Sequence, residues 1–287
     1  MRPASSRVLQ DPAYSPRAPR FLRVLRAMVL LSVMSAGCGA PLMKLPTGPG
    51  GPASDAAPAL ADATRACRAV STITAEISGS GSVGGQRFRA RLTAGLAPPA
   101  SARLEAAAPF GAPIFILVAS GTDATLLLPH DDKVLEHGKP AEVLEALAGL
   151  PVDAAGLRQA LVGCPDAPNA ASARQVAEDW RVLTDGSDQV YLRREGKPPV
   201  WRLVAIVHGA GSNRGWRAEY RDFENGLPRT VRLAGLAPKS FDVRLGLSQV
   251  ETNTTLGPDV FRVQIPADAE PITIDELRRA RPGVRQD

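Results

Sequence analysis

Residues 103–119 read R-L-E-A-A-A-P-F-G-A-P-I-F-I-L-V-A, and after a polar hairpin residues 145–165 read E-A-L-A-G-L-P-V-D-A-A-G-L-R-Q-A-L-V-G-C-P. The first segment is a pair of apolar strands on either side of a tight turn, where Pro109 and Gly111 flank a large side chain, Phe110. The second is two short helices split by Gly149-Leu150-Pro151. The strands offer a greasy surface and the helices can cover it. Neither segment holds residues suited to making or breaking bonds.

Outward from this stretch the period of two dominates. Q-R-F-R-A-R-L-T-A places Phe88, Ala90 and Leu92 on one side and Arg87, Arg89 and Arg91 on the other, the pattern of a half-buried antiparallel strand. Further strands are predicted at 102–107, 114–120, 124–128 and 133–136, then at 181–184, 189–194, 201–207, 216–223, 229–236 and 241–252. The run from Ile114 to Val118 is apolar at successive positions, so both of its faces should be covered. Helices are predicted at 59–71, 141–147 and 154–162, a polar loop at 165–173, and a short edge strand near the C-terminus. Strands in meander order with one helical insertion imply a mainly β, α+β protein. Its single curved antiparallel sheet would form an open half-barrel, with short helices covering the concave face.

The N-terminus changes the reading of charge. Residues 1–26 hold six arginines against Asp11 and precede the apolar run A-M-V-L-L-S-V-M. That run is too short to span a bilayer, which needs about 20 residues. It ends in Ser35-Ala36-Gly37-Cys38, which resembles a bacterial lipoprotein signal. On that resemblance residues 1–38 are a signal peptide and Cys38 is lipidated. The net charge of +5 equals the charge of this segment, so the remainder is about neutral and an argument toward nucleic acid lapses. Residues 39–58, rich in Gly, Pro and Ala, read as a flexible tether. Residues 59–273 read as one domain and residues 274–287 as a C-terminal tail. Cys67 and Cys164 are left as either a disulfide or two buried thiols, a choice that spacing alone does not make.

Chemistry is sparse. Gly79-Ser80-Gly81-Ser82-Val83-Gly84 satisfies a dinucleotide pattern, but a strand follows where a helix would have to hold the pyrophosphate, so it reads as a hairpin. His130, His137 and His208 have no metal spacing, and H-G-A-G-S at 208–212 joins two strands. Asp131, Asp132 and Glu224 lie in turns. No cofactor, metal site or enzymatic activity is expected. A curved sheet could instead hold an apolar ligand. The cavity candidates are Phe88, Leu92, Leu104, Ile114 and Ile116 from the first strands and Leu147, Leu150, Leu157 and Leu161 from the helices, with Trp201 and Leu203 from a later strand. The same residues would serve equally as an ordinary packed core.

Several of these motifs occur together in one family. L-E-A-A-A entering Pro109-Phe110-Gly111, the strand I-F-I-L-V, and L-A-G-L-P-V followed by L-R-Q-A-L-V-G resemble the LolB-like outer-membrane lipoprotein receptors of the lipoprotein localisation system, within the LolA/LolB-type half-barrel superfamily. The resemblance is good over residues 69–165 and only architectural beyond. It implies an apolar cavity that receives the acyl chains of lipoproteins from a periplasmic carrier. It also implies outer-membrane anchoring through Cys38, facing the periplasm as a monomer without nucleic acid. Phe110 takes the place of an apolar residue that projects into solvent and is needed for delivery to the membrane. A protein-binding envelope scaffold on the same fold is the alternative.

Overall fold

The computed structural model describes residues 41–108, 110–165 and 172–280, of which a compact unit begins at Met43. Cys38 and Pro109 lie outside the described residues. In chain order the elements are β1 (Gly51–Pro52), α1 (Ala56–Arg68), β2 (Ile73–Val83), β3 (Gln86–Ala97), β4 (Ser101–Ala106), β5 (Phe115–Ser120), β6 (Asp123–Leu128) and β7 (Lys133–Gly138). There follow α2 (Pro140–Ala148), α3 (Ala154–Val162), β8 (Arg174–Ala177), β9 (Trp180–Asp185), β10 (Asp188–Glu195), β11 (Val200–His208), β12 (Trp216–Glu224), β13 (Leu227–Gly235) and β14 (Phe241–Thr252). A 3-10 turn at Pro258–Phe261, β15 (Glu270–Pro271) and α4 (Ile274–Ala280) complete the described chain.

The strands form one curved, unclosed sheet in the order β1-β8-β9-β10-β11-β12-β13-β14-β2-β3-β4-β5-β6-β7-β15. Two meanders, β2 to β7 and β8 to β14, are welded at one seam where β14 runs antiparallel to β2. Glycine makes the seam possible: a Cβ on Gly81 would meet the Asp242 carbonyl oxygen at 2.0 Å. The hairpin after it turns on Gly84 and Gly85, both at positive φ. The glycine-rich stretch is therefore strand and hairpin, as its context predicts.

Alternation sorts the two faces. Ile73, Ala75 and Ile77 of β2, Ala94 and Leu96 of β3, and Val243, Leu245 and Leu247 of β14 are buried on the concave side in one core cluster. The helices share that cluster through Leu60 and Cys67 of α1, Val143 and Leu144 of α2, and Leu157 and Leu161 of α3. Their ends are set locally: α2 opens on Pro140 and stops at Gly149, while Asp153 caps α3 by accepting from the Gly156 amide at 2.8 Å.

The convex face carries two straps that the sequence reading did not contain. Residues 43–52, read as flexible tether, lie along the sheet instead. Met43 and Leu45 pack on Trp180, Val182, Tyr191, Ala205 and Val207, a second apolar cluster. The Met43 amide donates to the buried Glu219 carboxylate at 2.7 Å, and Arg217 donates to the Met43 carbonyl. β1 then pairs with β8, and Asp55 accepts a two-pronged hydrogen bond from Arg181 at 2.6 and 2.9 Å before α1 begins, three residues earlier than expected. Enough apolar side chains and carbonyl partners punctuate the Gly/Pro run to fix it. The second strap follows β14. Leu256 and Val260 rest against Gly95, and Arg103 donates to the carbonyls of Val260 and Arg262 at 3.2 and 2.8 Å. The expected C-terminal edge strand is confined to β15, which pairs with β7 at the sheet edge, and the residues before it make a 3-10 turn crossing the sheet. Beneath it Val118 is buried, so the run 114–118 is covered on both faces as predicted.

Residues 274–280 are not a tail either. α4 carries Leu277, 0% exposed, into the core, and its start is fixed by a reciprocal cap between Thr273 and Glu276, with the Thr273 amide 2.8 Å from the carboxylate.

Candidate functional site

The antiparallel register brings six connections to one end of the sheet: the turn 84–85, the loop 107–114, the turn 129–132, the turn 186–187, the loop 209–215 and the loop 236–240. The apex of the helical pair arrives there too, since a Cβ on Gly149 would touch Val83 and Phe241. Here β4 stops early. It pairs with β3 only from Leu92 to Ala97, and the Ala107 amide makes a last bond to the Arg91 carbonyl at 2.8 Å. Residues 86–91 consequently pair with β2 on one side and leave their other edge without a strand partner among the described residues.

Phe110 stands in the loop beside that free edge and is 90% exposed. Gly111 follows it at φ 82°, a conformation that glycine adopts without strain. The ring of His130 hydrogen-bonds the Ala112 carbonyl at 2.9 Å and steadies the loop, and Leu236 adds a second exposed apolar side chain at this end. Phe88, Leu92, Ile114, Leu147 and Val152 are only partly buried against the core. These residues, brought together from four elements, make an apolar rim.

The helices over the concave face form a hairpin rooted at the opposite end. α2 follows Gly138, where β7 finishes, and α3 returns to Gly163, against Tyr220 and Pro228. A disulfide between Cys67 and Cys164, with Cα atoms 5.5 Å apart, bonds the end of α3 to α1. Both roots are held while the apex at Gly149-Leu150-Pro151 has no covalent tie to the sheet. The geometry is that of a flap whose free tip lies by the rim.

Beneath the flap no open cavity of the predicted kind is found among the described residues. Leu104, Leu150, Leu157, Leu161 and Leu203 are all buried in one continuous core. Leucines from both helices reach the sheet and occupy the space between. Two cavity candidates are misplaced outright. Ile116 points to the convex face, because its neighbours Phe115 and Leu117 take the concave positions of β5. Trp201 lies at the far end beside α1, where its ring stacks under Arg181 at 4.8 Å and its amide donates to Asp62. It lines a shallow surface groove of about 400 Å³ with Ala63, Ala66 and Phe223.

One polar group inside the core escaped the sequence reading. Tyr220, 1% exposed, has a hydroxyl with no hydrogen-bond partner among the described residues, and burial pushes its pKa up. Nothing in W-R-A-E-Y-R-D marks it, since Tyr fits a strand whether or not its hydroxyl is wet. The histidines do not assemble a reactive group. His137 faces Asp123 in the open, while His208 is paired with Asp188 at 2.8 Å and stacked on Trp216, with no hydroxyl on its ring among the described residues. No cluster of three or more metal-ligating side chains occurs among the described residues.

No family model matches the chain, and no curated protein matches it. Similarity is to solved structures. A LolA superfamily protein from Nitrosomonas europaea superposes with a TM-score of 0.47 at 12% identity, covering 72% of this chain and 97% of that one. A DUF1329 family protein from Desulfovibrio piger gives 0.43 at 9% identity, over 73% and 98%. The lipoprotein LppX from Mycobacterium tuberculosis gives 0.31 at 11%, over 70% and 98%. These are likenesses of fold.

Proposed function

We propose that this chain is a non-enzymatic envelope lipoprotein, anchored to the outer membrane through Cys38 and facing the periplasm. It accepts the acyl chains of other lipoproteins beneath its helical flap and yields them to the bilayer. The observation that carries this reading is Phe110, almost fully exposed at the one end where the apolar rim and the untied flap tip meet. An exposed aromatic ring is costly in water and comfortable at a membrane interface.

On this reading the packed interior is the closed form of the domain. Opening the flap uncovers Leu150, Leu157 and Leu161, which costs about 5 to 9 kcal/mol at about 1.5 to 3 for each leucine. An entering acyl chain returns about 0.8 kcal/mol per methylene, so about 6 to 11 methylenes are needed to hold the flap open. Chain length is therefore the specificity filter. A peptide carrying a palmitoyl chain should bind the purified protein, as seen by native mass spectrometry, and its butanoyl counterpart should not. Equal binding of both, or of neither, defeats the mechanism. In a liposome transfer assay Phe110→Glu should leave uptake intact and abolish release to vesicles.

The filled core also favours a second reading, an envelope scaffold that holds a protein partner on the same fold. Under that reading native mass spectrometry finds the domain empty whatever acyl peptide is offered.

A further inference from the structure

The two straps cover the wings of the convex face and leave its middle bare. Over β13, β14, β2 and β3 that face presents Arg87, Arg89 and Arg91 at alternate positions of one strand, with Arg244 across the seam, all exposed. None of the four guanidinium groups has a hydrogen bond or ion pair with a described residue, whereas their neighbours are neutralised. Arg232 grips Asp242 at 2.8 and 2.6 Å, and Arg217 pairs with the buried Glu219. Glu76 is the exposed acid on β2, and it sits beyond the arginines, opposite Thr93. Between the arginines the register sets only Ser78, Ser80, Ser82 and Gly246. The surface is thus flat, unobstructed and positive, with guanidinium groups about 7 Å apart along β3.

We propose that this bare arginine face is a docking surface for the anionic headgroups of a bilayer. The idea rests on the lipoprotein reading above and adds the orientation in which the protein lies. Two features favour a membrane over an acidic peptide. First, Glu219, Arg232, Arg244, Ser80 and Arg89 form one continuous cross-strand row, and the Met43 strap is clamped to its first member. Five residue steps separate Met43 from Cys38, a reach of at most about 18 Å. A lipid on Cys38 therefore holds this row close to the headgroups. Second, Arg91 is joined to the base of the Phe110 loop through the Ala107 amide, so the charged face and the inserting ring share one end. Charge acts within a Debye length of about 8 Å at physiological salt, so only a face held against the surface benefits.

The test uses the chain from Met43 onward, which contains every residue of both core clusters, mixed with phosphatidylcholine vesicles made with and without phosphatidylglycerol. Binding is expected only when phosphatidylglycerol is present and should fall as salt rises. Each arginine changed to glutamine should weaken binding about fivefold, so Arg87→Gln, Arg89→Gln, Arg91→Gln and Arg244→Gln combined should abolish it. On vesicles, hydrogen exchange should slow across residues 86–91. Undiminished binding by the combined variant overturns the proposal. So does equal binding to neutral vesicles, or capture of an acidic peptide without any affinity for lipid. Uptake of the palmitoyl peptide is measured alongside in the absence of vesicles. If the arginine variants retain uptake yet lose vesicle binding, docking and acyl binding are separate properties. If uptake fails in the parent while vesicle binding persists, the carrier reading falls and the docking face stands.

Discussion

The two faces of this sheet solve opposite problems with the same alternation. On the concave side every second residue is apolar from β2 to β14, and the helices complete one continuous core. On the convex side the large apolar residues gather towards the wings, where the straps pack, and the middle is mainly arginine and serine. Coverage follows grease: the chain spends its ends where the outer face is apolar and leaves the charged strip to solvent. The concave side is therefore where stability resides, and the convex middle is free to meet something else.

Substitutions can break that contrast, and the greatest loss should come from the concave root of the flap. Removing the Cys67–Cys164 bond, which closes a loop of 97 residues, should cost about 4 to 5 kcal/mol on the loop-entropy account. Urea titration of the double Cys→Ser variant checks it. Leu161→Ala, at 1% exposure under α3, should cost about 2 to 5 kcal/mol, and the cavity it opens should raise uptake of the palmitoyl peptide. Next comes the one convex site that behaves like core. Glu219→Ala leaves Arg217 buried without its carboxylate and should cost about 3 kcal/mol, with the Met43 strap released to proteolysis. Arg89→Gln, by contrast, should change stability by less than about 0.5 kcal/mol. If it destabilises as much as Leu161→Ala, the middle of the convex face is structural and the contrast collapses.

The smallest effect concerns pH. The Arg181 guanidinium holds the Asp55 carboxyl below the usual carboxylate range. A depressed carboxylate pKa contributes stability above the unfolded value of about 3.9, and the contribution is lost as pH falls through the folded value. Asp55 is partly exposed, so the loss is a fraction of a kcal/mol. Asp55→Asn should remove that acid dependence, as urea titration at acid and neutral pH checks.

Much of this architecture was legible in advance because it rests on periodicity. The bounds of α3 and β14 agree with the observed ones, and residues 114–118 announce two covered faces. What the sequence hid depends on contacts far along the chain. The Gly/Pro run before α1 has the composition of a tether, and only the apolar cluster waiting on β9 to β11 makes it a strap. Leu277 reads as part of a C-terminal tail until it finds α2 and the core. Ile116 and Trp201 failed for different reasons. An unbroken apolar run gives no phase to say which residue faces inward, and a tryptophan at a strand's first residues lies at whichever end the topology places it. The free edge of β3, which creates the rim, arises because β3 is 12 residues long and β4 only 6.

The seam between β14 and β2 joins residues such as Ser78 and Gly246, 168 positions apart. During synthesis the early strands therefore emerge long before their neighbour exists. A growing chain stays pliable until almost its last sixth has appeared, which makes folding slow and late. For the exported lipoprotein proposed above, that delay would keep the chain threadable until it has crossed the membrane.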